Sequence, residues 1–531
     1  MQFVVFFLKL NNNILSLAKF CHFNQVTLMK ILTLFILLSV VAVNAQPPSV
    51  NAARSFRQAH EHEIMEEFTK LLAIPNVVSD TANIRRNADL ISEMLAARGV
   101  KTQLLTVPDV APVVYGEIKT PGANRTLIIY AHYDGQPVEP TKWVGGDPFK
   151  PTLRSASLEA NGKDIPFPAK GEKFNPEWRL YARASGDDKA PIIAVLAALD
   201  ALKASKIGLT SNIKFIFEGE EEAGSPHLEN ILAKYPDLVK GDVWLVCDGP
   251  VHQNRQQQIY FGARGVTSLE LTVYGAKREL HSGHYGNWSP NPAMMLAKLL
   301  ASMKDDDGKV LIENYYDGIT PLSPTEKRAL AEAADNDEDL KRELQIGFTE
   351  GGGKKLKEML MLPSLNIRGL SSASTGATAR NVIPTTATAD IDIRLVKGID
   401  YKVAVERVLA HIRKLGWHIV NADPDEATRM KYPRVIKAIN KDGYNAARTS
   451  MDLEISKQVI SAIENARGMT VRMPTLGGSV PLYIFTDILK TPAIGIPIAN
   501  HDNNQHSSNE NIRLQNLWDG IETMAALLTM K

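Results

Sequence analysis

The chain has 531 residues, 44% hydrophobic and 22% charged, a composition typical of a large globular protein with two or more domains. Its 60 Lys and Arg nearly balance its 59 Asp and Glu, and the net charge of +1 gives no support for a protein that binds nucleic acid or another polyanion. Two cysteines cannot build a disulfide scaffold. We therefore expect the chemistry to come from histidine and carboxylate side chains.

The first feature in chain order is an apolar segment, Met29–Ala45, with the sequence MKILTLFILLSVVAVNA. A lysine follows the methionine, and the small residues Val43 and Ala45 end the segment, which is the layout of a secretory signal peptide. The apolar run is short for a bilayer span, although an N-terminal membrane anchor is the alternative. We predict an extension and signal peptide at 1–45, and a mature protein that is periplasmic or secreted, without stable membrane association.

From about residue 55 the chain alternates helical and extended segments. Two helices are predicted first, FRQAHEHEIMEEFTKLLAI and ANIRRNADLISEMLAARG. Apolar strands follow at 126–131, 212–217 and 242–247, and the apolar helix PIIAVLAALDALKA separates the first two of them. This alternation predicts an α/β fold, with a mostly parallel sheet covered by helices on both faces. Ligands of such sheets bind at the carboxyl ends of the strands.

A different pattern begins near residue 261. GVTSLELTVYG and ATADIDIRLV alternate as half-buried strands do, whereas NPAMMLAKLLASMK and DYKVAVERVLAHIRKLG have helical spacing. This set predicts a small α+β (ferredoxin-like) domain, interrupted by a charged, helix-prone insertion at 305–362. We therefore predict that an α/β domain in two pieces, 55–260 and 441–531, contains an inserted second domain, 261–440.

Histidines and carboxylates follow the predicted strands. Taken singly, each has a simple structural explanation: a hydrogen bond, a helix cap or a solvated acidic loop. Taken together, two imidazoles and three carboxylates are predicted at one edge of the sheet: His132, Asp187, Glu222, Asp248 and His506. Such a set suits two divalent metal ions that share a carboxylate, with zinc expected first and manganese or cobalt as alternatives. A single metal would leave too many anions uncompensated.

Nine short motifs support a more specific hypothesis: YAHYDGQPV (130–138), LYARASGDDKAP (180–191), EGEEEAGS (218–225), CDG (247–249), HSGHYG (281–286), ARNVIP (379–384), DIRLV (392–396), GGSVP (477–481) and HSSNE (506–510). In this order they resemble the M20 family of dinuclear metallopeptidases, and the carnosinase-like dipeptidases in particular. The resemblance runs from about residue 60 to the C-terminus. It implies a zinc-peptidase domain interrupted by a lid domain, through which the protein forms a homodimer.

The resemblance also implies roles for the metal ligands. Each metal would have its own pair of ligands, His132 with Asp248 and Glu222 with His506, and Asp187 would bridge the two. Asp134 would stand behind His132 and orient its ring. The peptide bond between Asp187 and Asp188 would be cis.

Further residues are implied for the reaction itself. Glu221 would be the general base that takes a proton from a metal-bridging water. His281, donated by the partner subunit's lid, would stabilise the oxyanion. Arg394 would clamp the free carboxylate of the substrate, and Asn381 and Ser479 would add hydrogen bonds. These roles predict a hydrolase of dipeptides or short peptides.

Two alternatives remain open from the sequence. An N-acyl-amino-acid deacylase or carbamoyl hydrolase would use the same dinuclear site, and a peptide-binding protein that has lost catalysis would keep the fold. The chain also departs from the family pattern. Alanines at 182, 184 and 190 stand where glycines are usual, the stretch 151–178 is longer than expected, and His284 has no assigned role.

Overall fold

The computed structural model describes residues 46–531, so the predicted extension at 1–45 and its signal segment lie outside the described residues. None of the helices in the described part combines the length and apolar character needed to cross a bilayer. The α-helices there are α1 (Pro48–Ala59), α2 (Glu61–Leu72), α3 (Thr81–Ala97), α4 (Lys189–Ala204), α5 (Leu228–Lys234), α6 (Ser282–Tyr285), α7 (Pro292–Ala301), α8 (Pro324–Glu332), α9 (Asp337–Glu343), α10 (Leu356–Met359), α11 (Tyr401–Lys414), α12 (Glu426–Lys431), α13 (Glu454–Arg467) and α14 (Leu514–Leu528).

The strands of the described part are also numbered in chain order. They are β1 (Lys101–Leu105), β2 (Val113–Ile118), β3 (Thr126–His132), β4 (Thr152–Arg154), β5 (Arg179–Tyr181), β6 (Asn212–Glu218), β7 (Val243–Val246), β8 (Gln258–Tyr260), β9 (Gly262–Ala263), β10 (Gly265–Tyr274), β11 (Leu280–His281), β12 (Ser364–Ser371), β13 (Val382–Ile383), β14 (Thr386–Leu395), β15 (His418–Val420), β16 (Val435–Tyr444), β17 (Ala447–Arg448), β18 (Val471–Met473), β19 (Ala493–Gly495) and β20 (Asn511–Arg513).

An eight-stranded sheet has the strand order β1-β2-β6-β3-β7-β19-β8-β18. Its central strands β6, β3, β7 and β19 are parallel to one another. Alternate residues of β3 enter different cores: Leu127 and Ile129 pack with side chains from α1 to α4 and α14, whereas Ile128 and Tyr130 pack with α5. The predicted mostly parallel sheet with helices on both faces is therefore confirmed.

A five-stranded sheet has the strand order β12-β14-β10-β16-β15, and all of its strands lie between residues 265 and 444. It is antiparallel except for the β15–β16 pair. One face packs against α7 and α11 in a core of its own, which includes Leu271, Leu299 and Val408. The predicted α+β unit, with helices on one face of an antiparallel sheet, is present.

One predicted helix was wrong. The segment FRQAHEHEIMEEFTKLLAI forms two helices, α1 and α2, which meet at His60. His60 leaves the helical region with φ −126° and ψ 27°. Its ring stacks on Phe56 at 4.0 Å between centroids, and its Nδ1 lies 2.9 Å from the Phe56 carbonyl oxygen. These local contacts offer the backbone an alternative to continuing the helix.

The fold brings three loops to one sheet edge. Strands β3, β6 and β7 are parallel neighbours, with His132 opposite Glu218, so the residues that follow them meet at the same edge. Pairing of β5 with β20 places the loop before α4 beside the loop that ends at β20. The long stretch 151–178 packs against α2, where the backbone N–H of Phe174 donates to Glu61.

Candidate metal centre

Five side chains predicted as metal ligands converge at this edge; we call His132, Asp187, Glu222, Asp248 and His506 the ligand cluster. They form two overlapping groups, in each of which the potential ligand atoms lie within 4.8 Å of one another. One group is His132, Asp187 and Asp248, and the other is Asp187, Glu222 and His506. Asp187 alone belongs to both groups, which is the position that a bridging carboxylate requires.

Asp187 directs one carboxylate oxygen towards each histidine of the cluster. Its Oδ1 lies 2.9 Å from His132 Nε2, and its Oδ2 lies 3.2 Å from His506 Nε2. Although burial opposes ionisation, hydrogen bonds from these two histidines lower the pKa of Asp187 below its usual range. The peptide bond between Asp187 and Asp188 is cis, as the family resemblance implied.

The charges of the cluster call for cations. Burial, and then the charge of Asp187, raise the pKa of Glu222 to about 8 and that of Asp248 to about 6. Buried carboxylates so close together repel one another unless positive charge is added. Two imidazoles and three carboxylates are a donor set that zinc accepts. His132, Asp187 and Asp248 are buried, whereas Glu222 is half-buried and His506 is exposed, so the residues present fit a pair of divalent metal ions that solvent and substrate can reach.

Asp134 joins two parts of the site. Its carboxylate accepts hydrogen bonds from the backbone N–H groups of Glu221 and Glu222, at 3.1 and 3.0 Å. Its Oδ1 also lies 3.4 Å from Nδ1 of His132. The resemblance implied only the contact with His132. Asp134 therefore also positions the loop that carries the two glutamates.

Glu221 is half-buried beside the ligand cluster. Desolvation, and then the charge of Asp248, raise its pKa well above the ordinary value for glutamate. The next side chain, Glu222, is held in a different way, because Gln136 Nε2 donates to its Oε2 at 2.8 Å. Gln136 lies in the motif around His132, but nothing in the sequence assigned it a contact.

Glu510 was missed by sequence reasoning, although it ends the quoted motif HSSNE. It is buried, and its carboxylate accepts hydrogen bonds from the backbone N–H groups of Ala184, Gly186 and Asp187 and from the Arg183 guanidinium, at 2.9 to 3.0 Å. Ala184 has a φ of +61°, a conformation that glycine adopts more easily. Glu510 thus fixes the loop that presents Asp187.

We expect Glu510→Gln to weaken zinc binding roughly 10- to 100-fold, the usual effect of losing a contact that orients a ligand. The amide offers one acceptor oxygen in place of two, and its NH2 group would face backbone N–H donors. Zinc affinity, measured by competition with a chromophoric chelator, tests this. Glu139→Gln, at an exposed pair with Lys142, is the control. Equal zinc affinity in both variants would contradict the positioning role.

We also expect the thermal stability of the metal-free protein to fall as the pH rises from about 5 to about 8. The folded pKa values of Glu222 (about 8) and Asp248 (about 6) lie above their unfolded values, so the folded state binds more protons in this interval and loses that advantage as the pH increases. Melting temperatures with and without chelator test this. A chelated protein that becomes more stable towards pH 8 would contradict it.

The residues predicted to bind substrate lie in two places. Arg394 and Ser479 are in contact: Arg394 Nη1 donates to Ser479 Oγ at 2.7 Å, and its Nε donates to Asp392 at 3.1 Å. His281 and Asn381 are both exposed and lie together at one end of the β11–β13 pair, where the backbone N–H of Ser282 donates to the Asn381 carbonyl. Of the four predicted residues, Arg394 and Ser479 are therefore in direct contact, and His281 lies beside Asn381 at the end of β11.

His281 has a defined tautomer when it is neutral. The backbone N–H of Gly283 donates to its Nδ1 at 3.1 Å, so the ring proton resides on Nε2. The ring of His284 lies 4.5 Å away between centroids. His281 can therefore donate a hydrogen bond from Nε2 without being protonated.

The chain matches one protein family and is similar over most of its length to two dipeptidases. The model of Peptidase family M20/M25/M40 matches residues 128–530. The Cys-Gly metallodipeptidase dug1 of Schizosaccharomyces pombe is 25% identical over 477 residues, which are 87% of this chain and 94% of that protein. The Beta-Ala-His dipeptidase of Homo sapiens is 27% identical over 435 residues, 80% of this chain and 78% of that protein.

Solved structures agree with this fold. An M20 family metallo-carboxypeptidase from Sulfolobus solfataricus, Sso-CP2, superposes with a TM-score of 0.70 at 27% identity, covering 88% of this chain and 98% of that one. Human carnosine dipeptidase 1 superposes with a TM-score of 0.71 at 22% identity, covering 91% and 98%. The family match spans more than half of the chain and all of the ligand cluster. This protein therefore belongs to Peptidase family M20/M25/M40 and is a metallopeptidase.

Proposed function

We propose that this protein is an exported dinuclear metallopeptidase that hydrolyses dipeptides and other short peptides with a free C-terminal carboxylate. The observation that carries the proposal is the convergence of the ligand cluster on Asp187, with Glu221 beside it. Relatives named Cys-Gly metallodipeptidase and Beta-Ala-His dipeptidase support a substrate of two residues.

Two divalent metals, zinc first and manganese or cobalt as alternatives, would supply Lewis acidity that polarises the scissile carbonyl and lowers the pKa of water. Within the ligand cluster, His132 and Asp248 would hold one ion, Glu222 and His506 the other, and Asp187 both. Asp134 and Gln136 orient this set through the hydrogen bonds described above. Rigid ligands keep the geometry constant during turnover.

Glu221 is the general base of the proposed reaction. Its pKa is high because burial and neighbouring carboxylates disfavour its charge. Beside two cations the same carboxylate ionises, because opposite charge favours the charged form. It then accepts the proton of the attacking water and returns it to the departing amine nitrogen.

Arg394 is the proposed clamp for the substrate carboxylate. Ser479 and Asp392 orient its guanidinium, and 35% of its side chain is exposed, so N–H groups remain for a carboxylate. Asn381 would add a hydrogen bond. A clamp at this position would select short peptides over proteins.

A substrate panel tests the proposed function. We expect the zinc-loaded enzyme to hydrolyse dipeptides with a kcat/KM at least about 100-fold above that of the same dipeptides with C-terminal amides. Arg394→Ala should erase most of this difference, whereas Arg85→Ala, at an exposed pair with Asp89, should leave it unchanged. Faster hydrolysis of N-acyl amino acids would instead establish the deacylase alternative.

We further propose a homodimer in which His281 of one subunit donates from Nε2 to the oxyanion formed in the other. His281→Ala is expected to lower kcat roughly 100- to 1000-fold, with metal content unchanged, as for other lost oxyanion donors. Mixing this variant with Glu221→Gln should restore part of the activity, because each supplies what the other lacks. No recovery on mixing would contradict the exchange between subunits.

The proposal of export depends on the pattern at Met29–Ala45. N-terminal sequencing of the protein recovered outside the cytoplasm should begin at Gln46. Recovery of the uncleaved chain in membranes would favour the anchor instead.

A further inference from the structure

A cavity of about 730 Å³ is lined mainly by residues of the insertion at 305–362. Its walls come from the insertion, from the start of β12 and from Arg264, which lies between β9 and β10. Among the described residues that line it there is neither a member of the ligand cluster nor Glu221 or Arg394. We call it the Arg264 cavity. Its volume lies within the usual range of small-molecule sites.

Most of the cavity wall is apolar. Aliphatic and thioether side chains from α9, α10, β12 and the loop between the helices face it: Leu340, Leu344, Ile346, Leu356, Met359 and Leu365. Three of them, Leu344, Ile346 and Leu356, are 60%, 44% and 46% exposed, so the protein itself does not cover them. A ligand with an aliphatic body would remove this surface from water.

Arg264 is an exception among the buried arginines of the described residues. Four of the five pair with a carboxylate: Arg154 with Asp164, Arg183 with Glu510, and both Arg179 and Arg513 with Asp502. Arg264 is 6% exposed and has no such ion pair among residues 46–531. Its Nη2 donates to the Leu362 carbonyl at 2.8 Å and to Ser364 Oγ at 3.0 Å, whereas its buried Nε has no partner.

An unpaired buried cation is costly, and evolution seldom retains one without a counter-ion. Burial, and then the nearby charge of Arg394, lower the pKa of Arg264 only to about 10, so the guanidinium is charged at neutral pH. The four lysines that line the cavity equal the four lining carboxylates in number, so Arg264 gives the lining a net charge of +1. Asp392 lies near enough to act on Arg264 through its charge, but its ion pair is with Arg394. One negative charge would balance the cavity.

We propose that the Arg264 cavity binds an aliphatic monocarboxylate, whose carboxylate pairs with Arg264 and whose hydrocarbon chain lies along the apolar wall. The carboxylate would pair with the guanidinium through the N–H groups of Arg264 that do not donate to Leu362 or Ser364. A dianion such as phosphate is disfavoured, because its second negative charge would exceed the net charge of +1 on the lining. Its lining includes neither the ligand cluster nor Glu221 or Arg394, and the proposal does not depend on the proposed peptidase activity.

Titration calorimetry of the full chain with decanoate tests the proposal. We expect saturable binding of one decanoate per chain, to both the zinc-loaded and the chelated protein. Octanoate should bind roughly tenfold more weakly, because two fewer methylenes are buried. 1-Decanol should also bind at least about tenfold more weakly, because it lacks the charge that pairs with Arg264. Equal affinity for decanol, or no binding of decanoate, would overturn the proposal.

Four variants locate the binding. Arg264→Gln and Leu344→Asp should abolish it, whereas Arg394→Ala and Met430→Asp should not. Leu344 and Met430 are both exposed, so neither aspartate disturbs a core, and Leu344→Asp decides the outcome if Arg264→Gln fails to fold. Binding that disappears with Arg394→Ala or on chelation would place decanoate at the reaction centre and overturn the proposal. Because no turnover is measured, failure here is distinct from failure of the proposed peptidase function.

Discussion

Glu221→Gln is expected to lower kcat roughly 10²- to 10⁴-fold, while the protein still binds two metal ions. The amide keeps the shape of the side chain but cannot accept the proton of the attacking water, and loss of a general base typically has an effect of this size. Glu222, rather than Glu221, belongs to the ligand cluster, so metal content should not change. Steady-state kinetics and elemental analysis of the purified variant check both expectations.

Glu220→Gln is the matched control for this experiment. Glu220 precedes Glu221, but its Oε2 lies 2.8 Å from His227 Nδ1 and its Oε1 accepts from the backbone N–H of Ala111. Its carboxylate is therefore occupied by structural contacts, and we expect kcat within about threefold of the wild type. A large loss in Glu220→Gln, with normal turnover in Glu221→Gln, would show that the base is displaced by one residue from our assignment.

Asp187→Asn is expected to reduce the metal content from two ions per chain to one or fewer, and to reduce activity to background. Only Asp187 is shared by both groups of potential ligands, so its substitution affects both ions at once. An amide offers a single neutral oxygen, whereas the carboxylate directs one oxygen towards each histidine. Elemental analysis after dialysis against buffered zinc measures the effect.

Two further variants serve as comparisons for the metal content of Asp187→Asn. His506→Ala should remove one ion and leave the other, because His506 belongs to one group only. Asp237→Asn, at an exposed pair with Lys240, should bind two ions as the wild type does. If Asp187→Asn still held two ions with unchanged affinity, Asp187 would not be the bridge.

The parallel centre of the large sheet and the candidates for the ligand cluster could be predicted from local patterns of residues. Buried strands of a parallel sheet are continuous apolar runs, and 126–131, 212–217 and 242–247 are such runs. His132 and Asp248 follow two of them directly, and a short distance along the chain is enough to place a residue at the carboxyl edge. Local pattern also predicted the separate antiparallel sheet, because strand alternation has a period of two residues.

The contacts that hold these ligands, and the place where a buried charge has no ion pair, became visible only in the folded protein. The contacts from Glu510 to Asp187 and from Asp134 to Glu221 join residues 323 and 87 positions apart. Arg264 stands out only because no carboxylate of the described residues forms an ion pair with it, although carboxylates lie nearby. Contacts between distant segments depend on how the sheets and loops pack, and no local periodicity records them.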